Sequence, residues 1–300
     1  MSIVFERFAA ERKSSEWLAA RAVADNSKYL VLNSHGDLFL NRQENPENLF
    51  FSKQEVRSYF PENHIEIFLG SQGSHNYYCL GVSEPLDMGE PVNPREIISQ
   101  FSDWLVDLIN MARGIVLWRA NVNFCGRCGS ATKETDGGMA VVCLTANCSV
   151  KHYPRIDPAV IVLVSDGKEH VALARGKRHK NNMFSCFAGF LELGESLEQA
   201  ITREIQEESG LNVSDIQYFG SQSWPYPSSV MIGYSAVSEY EDLTIDQNEL
   251  LEGYWFSRSE LSASLRAGRV SIPPISSIAG RMIRHWLGTH SDKSQLANRF

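Results

Sequence analysis

Residues 189–211 read GFLELGESLEQAITREIQEESGL, and the reading of this stretch decides the fold. From Ser196 to Ser209 there is neither proline nor glycine, and Leu, Gln, Ala, Ile, Arg and Glu favour helix. Ser196 is placed to cap the start, Glu198 falls in the first turn, and Gly210 is a natural stop. On such a helix Leu197, Ala200, Ile201, Glu204 and Glu208 share one side, with Glu207 at its border. The inward stripe therefore begins apolar and turns acidic over its last turns. Converging carboxylates repel one another, and burying them unpaired is costly. A hard divalent cation such as Mg²⁺ removes that cost and keeps positions for water and phosphate oxygens. A solvated acidic helix end is the plainer reading of a Glu-Glu pair. Arg203, Glu195 and the flanking glycines at set offsets argue against it here.

Working outward, the composition is that of an ordinary globular protein: 300 residues, 43% hydrophobic and 21% charged. That length suggests roughly two domains. The net charge of −8 does not indicate a broad nucleic-acid footprint. No apolar run approaches the roughly 18 residues needed to span a bilayer. The opening MSIVFERFAAERK carries acidic residues and no signal-peptide core, so a cytoplasmic protein is expected. Six cysteines in a chain this long do not make a disulfide scaffold.

Residues 1–122 read as a β-rich domain ending in a connecting helix. KYLVLN (28–33) and DLFL (37–40) flank the turn Ser34-His35-Gly36, and HIEIFLG (64–70) and NYYCLGV (76–82) flank residues 71–75. Residues 93–119 carry a helical stripe opened by Asn93-Pro94. Cys79 and Cys186 lie in apolar strands and are expected in the core. Residues 123–152 hold Cys125 and Cys128, then Cys143 and Cys148, with Asp136-Gly137-Gly138 as a turn between. Four thiolates in two pairs fit a closed, tetrahedral structural Zn²⁺ site, one ion per chain. Few basic residues accompany them (Arg127, Lys133, Lys151), so a scaffold role is expected.

Residues 153–288 read as the catalytic domain and 289–300 as a mobile tail. AVIVLV (159–164) is a buried strand and HVALARG (170–176) its return. A basic loop at Lys177-Arg178-His179-Lys180 follows, then an apolar strand at 183–190. Beyond the helix, residues 212–237 carry two strands separated by a loop at 221–229, SQSWPYPSS. Two prolines stiffen it, and its aromatics beside small polar groups suit the stacking of a base.

Taken together these motifs resemble the Nudix hydrolases, in the branch of the NADH pyrophosphatases. There a β-rich domain and a four-cysteine zinc ribbon precede the signature stretch that stands here at 189–211, and a loop close to SQPWPFPxS follows it. This chain departs from that loop at Ser223 and Tyr226. The resemblance implies an α/β fold, an α/β/α sandwich with a mixed sheet, usually in a homodimer. It implies hydrolysis of the pyrophosphate of NADH or NAD⁺ to nicotinamide mononucleotide and AMP, with removal of NAD caps from RNA in some members. By motif position, Glu204, Glu207, Glu208 and the Ala188 carbonyl bind two or three Mg²⁺ or Mn²⁺ ions, joined by Glu249. Arg203 orients the glutamates, and Glu208 or Glu207 orients the attacking water. Tyr153, Gln222, Ser223, Trp224, Pro225, Tyr226, Pro227, Ser228, Ser229 and Ala279 fall at substrate-contact positions. Gly138 stands where some members carry a Glu. Ser223 leaves another nucleoside diphosphate derivative, such as ADP-ribose, as a competing substrate. A nucleotide sensor and a zinc-ribbon RNA binder are the readings from other classes.

Overall fold

A computed structural model describes residues 5–22, 26–41, 49–59, 65–82, 90–177 and 182–288. The chain forms two compact units, Met1–Arg155 with Pro225–Ser228, and Ile156–Trp224 with Ser229–Phe300.

In the first unit, helix α1 (Ser15–Ala22) precedes strands β1 (Ser27–Asn33), β2 (Leu38–Phe39) and β3 (Phe51–Ser52). Helix α2 (Lys53–Tyr59) leads to β4 (Ile65–Gln72) and β5 (His75–Val82). The sheet order is β2-β1-β5-β4, with β3 also on β1; β1 and β5 run parallel and the other pairs antiparallel. Both hairpins expected from the sequence form, the second closing around Gly73-Ser74 rather than over five residues. Alternate strand residues face opposite ways. One face packs Leu30, Leu32, Ile67 and Cys79 against Ile109, Ala112 and Val116; the other packs Tyr29, Val31, Phe68 and Tyr78 against Trp17 and Leu18.

The helix expected over 93–119 is broken. A short α3 (Pro94–Ile97) is capped by Asn93, whose side chain accepts from the Arg95 N–H; a 3₁₀ turn at Ile98–Gln100 follows, and α4 (Asp103–Ala120) starts afresh. Phe101 and Ser102 are extended, because Ser102-Asp103 is itself a helix start and interrupts the longer periodicity. The ribbon forms a sheet of β6 (Thr132–Thr135), β7 (Ala140–Cys143) and β8 (Lys151–His152) in that order.

The second unit is built on a mixed sheet. Its strands are β9 (Asp157–Ser165), β10 (His170–Gly176), β11 (Phe187–Phe190), β12 (Ser214–Trp224), β13 (Ser229–Val237) and β14 (Leu250–Ser257). The order is β12-β13-β9-β10-β14, with β11 also on β9; only β13 and β9 run parallel. The continuous apolar run of β9 is buried on both faces, as such a run requires. Val160, Val162 and Val164 face Ala200, Ile201 and Ile205 of α5 (Leu197–Ser209). Ile161 and Leu163 face Leu261 of α6 (Arg258–Arg266) and Ile278, Met282 and Ile283 of α7 (Ile278–Leu287). Helices on both faces make this the α/β/α sandwich.

Two strand expectations are corrected. Of 183–190 only Phe187–Phe190 is a strand, because Met183 and Ser185 make single bridges to Ser271 and Ala174 before the chain crosses to β9. The loop expected over 221–229 shrinks to Pro225–Ser228, because the β12–β13 ladder continues to the pair Trp224↔Ser229. Arg178, His179 and Lys180 of the basic loop, and the tail from 289, lie outside the described residues. Among the described residues no helix is long and apolar enough to cross a membrane.

Candidate active site

Helix α5 is fixed at both ends by its own sequence. The Ser196 hydroxyl accepts from the Gln199 N–H, and the Gln199 side chain accepts from the Ser196 N–H at 2.8 Å, a reciprocal capping box. Gly210 closes the far end with φ 74°. Burial of Ala200, Ile201 and Ile205 aims the same face of the next turns, Glu204 and Glu208, at the sheet.

Glu208 is 5% exposed and accepts from the Ala188 N–H of β11 at 3.2 Å. Burial pushes it up to about 8, against the Ala188 hydrogen bond and with the added repulsion of Glu204, Glu249 and Asp246. Glu204 is also held above the usual carboxylate range, chiefly by burial. Its carboxylate lies over Gly189, where a Cβ would come within 1.8 Å of the Glu204 Cδ. Only glycine leaves that space. Glu207 is more exposed and shares the Arg203 Nη1 with Glu204, at 3.0 and 2.9 Å.

Arg203 is the hub. Its Nε and Nη2 donate to the two oxygens of Glu195 at 2.6 and 2.9 Å, and Nη2 also donates to the Phe190 carbonyl at 2.9 Å. Such a two-pronged pair fixes orientation as well as charge. The Arg203 hydrogen bonds draw Glu195 down to about 2. Glu195 in turn accepts from the Glu192 N–H at 2.9 Å, tying the strand-to-helix connection to the helix.

Glu249 is exposed, in the segment before β14, and its charge acts on both Glu204 and Glu208. Asp246 acts on Glu208 as well, and was not singled out from the sequence. Its signal was its place three residues before Glu249 in DQNEL. Two desolvated carboxylates, with further acids bearing on them, are a donor set that fits a hard divalent ion.

Gln222 and Ala279 are brought together. The Gln222 amide donates to the Ser276 carbonyl and accepts from the Ile278 N–H, both at 2.7 Å, at the start of α7. Ser223, Trp224 and Ser229 end the hairpin strands. Pro225, Tyr226, Pro227 and Ser228 group with the first unit, as does Tyr153, which is 63% exposed. There the buried Arg113 donates from Nε to the Pro225 carbonyl at 2.9 Å and lies over the Tyr226 ring at 4.6 Å. Arg113 carries no signal of this role in the sequence, where it is one of several arginines in the segment 93–119.

In the ribbon, the sulfurs of Cys125, Cys128, Cys143 and Cys148 all lie within 4.8 Å of one another. The pairs Cys125–Cys148 and Cys128–Cys143 are 3.8 and 3.5 Å apart. Four sulfurs about 2.3 Å from one Zn²⁺ in a tetrahedron stand at such separations. His152 Nε2, 3.3 Å from the Cys125 Sγ, is a neighbour that the sequence did not flag. Among the described residues this is the one group of three or more such ligand atoms drawn so close.

Comparison with known proteins agrees with this division. The NUDIX domain family matches residues 155–275, and the NADH pyrophosphatase zinc ribbon domain matches 120–153. The NAD-capped RNA hydrolase NUDT12 of Pongo abelii is 38% identical over 205 residues, 65% of this chain and 44% of that protein. The chain thus spans under half the length of that relative. The NAD-capped RNA hydrolase NudC of Mycobacterium tuberculosis is 37% identical over 235 residues, 73% of this chain and 74% of that protein. With a catalytic unit and a four-cysteine ribbon both matched, the chain belongs to the Nudix hydrolase family, among the members that carry the NADH pyrophosphatase zinc ribbon.

Proposed function

We propose that this protein hydrolyses the pyrophosphate of NADH and NAD⁺ to nicotinamide mononucleotide and AMP, and removes NAD caps from RNA 5′ ends. The observation that carries the reading is the buried Glu208 and half-buried Glu204 on α5, the latter braced by Arg203 and Glu195, in a chain whose relatives are named NAD-capped RNA hydrolases. Glu204, Glu207, Glu208, Glu249 and the Ala188 carbonyl would hold Mg²⁺ or Mn²⁺. When bound, these ions supply charge neutralisation of the pyrophosphate and acidify water.

The protein's own part is to bind, orient and exclude. Arg203 keeps Glu204 and Glu207 in place from a position already saturated by Glu195 and Phe190, so it acts on the glutamates rather than on substrate. Glu208, buried and fixed by the Ala188 N–H, is suited to orient the attacking water. By the family resemblance, Gln222 to Ser229, Tyr153 and Ala279 are the substrate-contact positions, and the aromatic rings of the loop would stack on the base. No covalent enzyme intermediate is required. A homodimer in the cytoplasm is part of this reading and rests on the family resemblance. Sedimentation of the full chain at two concentrations tests the dimer.

Incubation of the full chain with NADH and Mg²⁺ or Mn²⁺, followed by chromatography, tests the activity. AMP and reduced nicotinamide mononucleotide, both lost on chelation, are the expected products. Cleavage of ADP-ribose with NADH untouched would overturn the substrate assignment and point to Ser223.

A further inference from the structure

We infer that Arg113, on the connecting helix α4, is a positioning residue that holds the turn Pro225–Ser228 in the shape substrate meets. The inference rests on the reading of 222–229 as the substrate loop. Its physical basis is how this one guanidinium is used. Its side chain is 9% exposed, and a cation is removed from water at high cost unless its donors are engaged. Nε–H donates to the Pro225 carbonyl at 2.9 Å, and the guanidinium carbon is 4.6 Å from the centre of the Tyr226 ring. Nη1 donates to the Gly36 carbonyl and lies 3.5 Å from the Asp37 carboxylate. Arg113 therefore joins the loop to the β1–β2 turn of its own unit.

Both partners are shaped for that junction. Gly36 has φ 74°, and a Cβ there would meet the Arg113 Nη1 at 2.8 Å and its Cγ at 2.9 Å. The loop has lost two backbone donors to Pro225 and Pro227, and the hairpin ladder ends at Trp224↔Ser229. A donor supplied from outside to the Pro225 carbonyl, together with a flat cation under the next ring, replaces what the ladder cannot provide. Lysine offers neither the directed Nε–H nor the flat face. Because the glutamates are on a different element, loosening this turn weakens binding and leaves the bond-breaking step alone.

The test compares the full-length wild type with Arg113→Lys, and with Asp37→Asn as a control that removes the ion pair but keeps both loop contacts. Two readouts are taken: amide hydrogen exchange over 222–230, which needs no substrate, and steady-state kinetics on NADH. Arg113→Lys is expected to speed exchange in that peptide and to raise KM about five- to tenfold with kcat within about twofold. Asp37→Asn is expected to lower the melting temperature and leave KM and loop exchange unchanged. A purely structural role lowers the apparent kcat through lost folded protein and leaves KM fixed; that result overturns the inference. Unchanged exchange in Arg113→Lys overturns it too, whatever the substrate. Faster exchange with an unchanged KM would also sink it. If the wild type itself leaves NADH intact, the substrate reading fails, and exchange at 222–230 still decides whether Arg113 holds the turn.

Discussion

Gly189 and Glu208 show how little space the acidic face leaves. Gly189→Ala would drive a methyl into the Glu204 carboxylate, displacing that side chain. We expect kcat to fall roughly tenfold or more, with the unfolding midpoint barely moved, because the flexible carboxylate swings away. Steady-state kinetics beside urea denaturation separates the two effects. Glu208→Gln should lower kcat by at least about 100-fold. Its stability should move the opposite way. An amide keeps the site neutral and spares it the cost of ionising a carboxyl only 5% exposed, so in chelator the variant should resist urea as well as the wild type or better. Near wild-type turnover would refute the role given to Glu208. The acids of this face were legible because each sits at a set offset from Gly189. Asp246 was not, since its bearing on Glu208 depends on how the segment before β14 returns to α5.

At the scale of elements, the caps explain why α5 starts and stops where it does. Loss of the capping box in Ser196→Ala should cost about 1 kcal/mol, read from the urea midpoint of the full chain. The β9–β10 turn carries a second local device. Asp166 accepts from the Lys168 and His170 N–H groups at 2.8 and 2.9 Å and faces the His170 Nδ1 at 2.8 Å. Burial works against its charge, but the His170 and Lys168 contacts outweigh it and draw Asp166 down to about 2. Its folded pKa lies below the unfolded value of about 4. The stabilisation is therefore complete above about pH 4 and is lost as pH falls towards 2. Asp166→Asn should be less stable at neutral pH and should show a shallower fall in melting temperature between pH 5 and 2. Parallel slopes would remove Asp166 from the account. The break before α4 is the opposite lesson: Ile97 and Phe101 continue a helical period, yet Phe101 and Ser102 are extended and a new helix starts at Asp103, so period alone does not carry a helix through.

For the whole molecule, the ribbon predicts that freshly purified protein carries zinc in a one-to-one ratio with the chain, measured by elemental analysis. Cys128→Ser should lower that ratio and destabilise the first unit, since structural zinc contributes directly to folding. Zinc-free, fully stable wild-type protein would contradict the role.

What the sequence determined by itself was written in short windows. The helix α5 with its caps, the doubly buried strand β9 and the spacing of the four cysteines each depend on residues close along the chain, where capping, periodicity and turn chemistry act. Tertiary structure alone decided the rest. It made β1 and β5 parallel, extended the β12–β13 ladder to Trp224↔Ser229, and set His152 beside Cys125. It also brought Arg113 to a carbonyl 112 residues away. The reason is that a carbonyl or a ring face carries no label in sequence. Which distant donor reaches it depends on how the strands pair and which surfaces bury one another, and those choices are made by the chain as a whole.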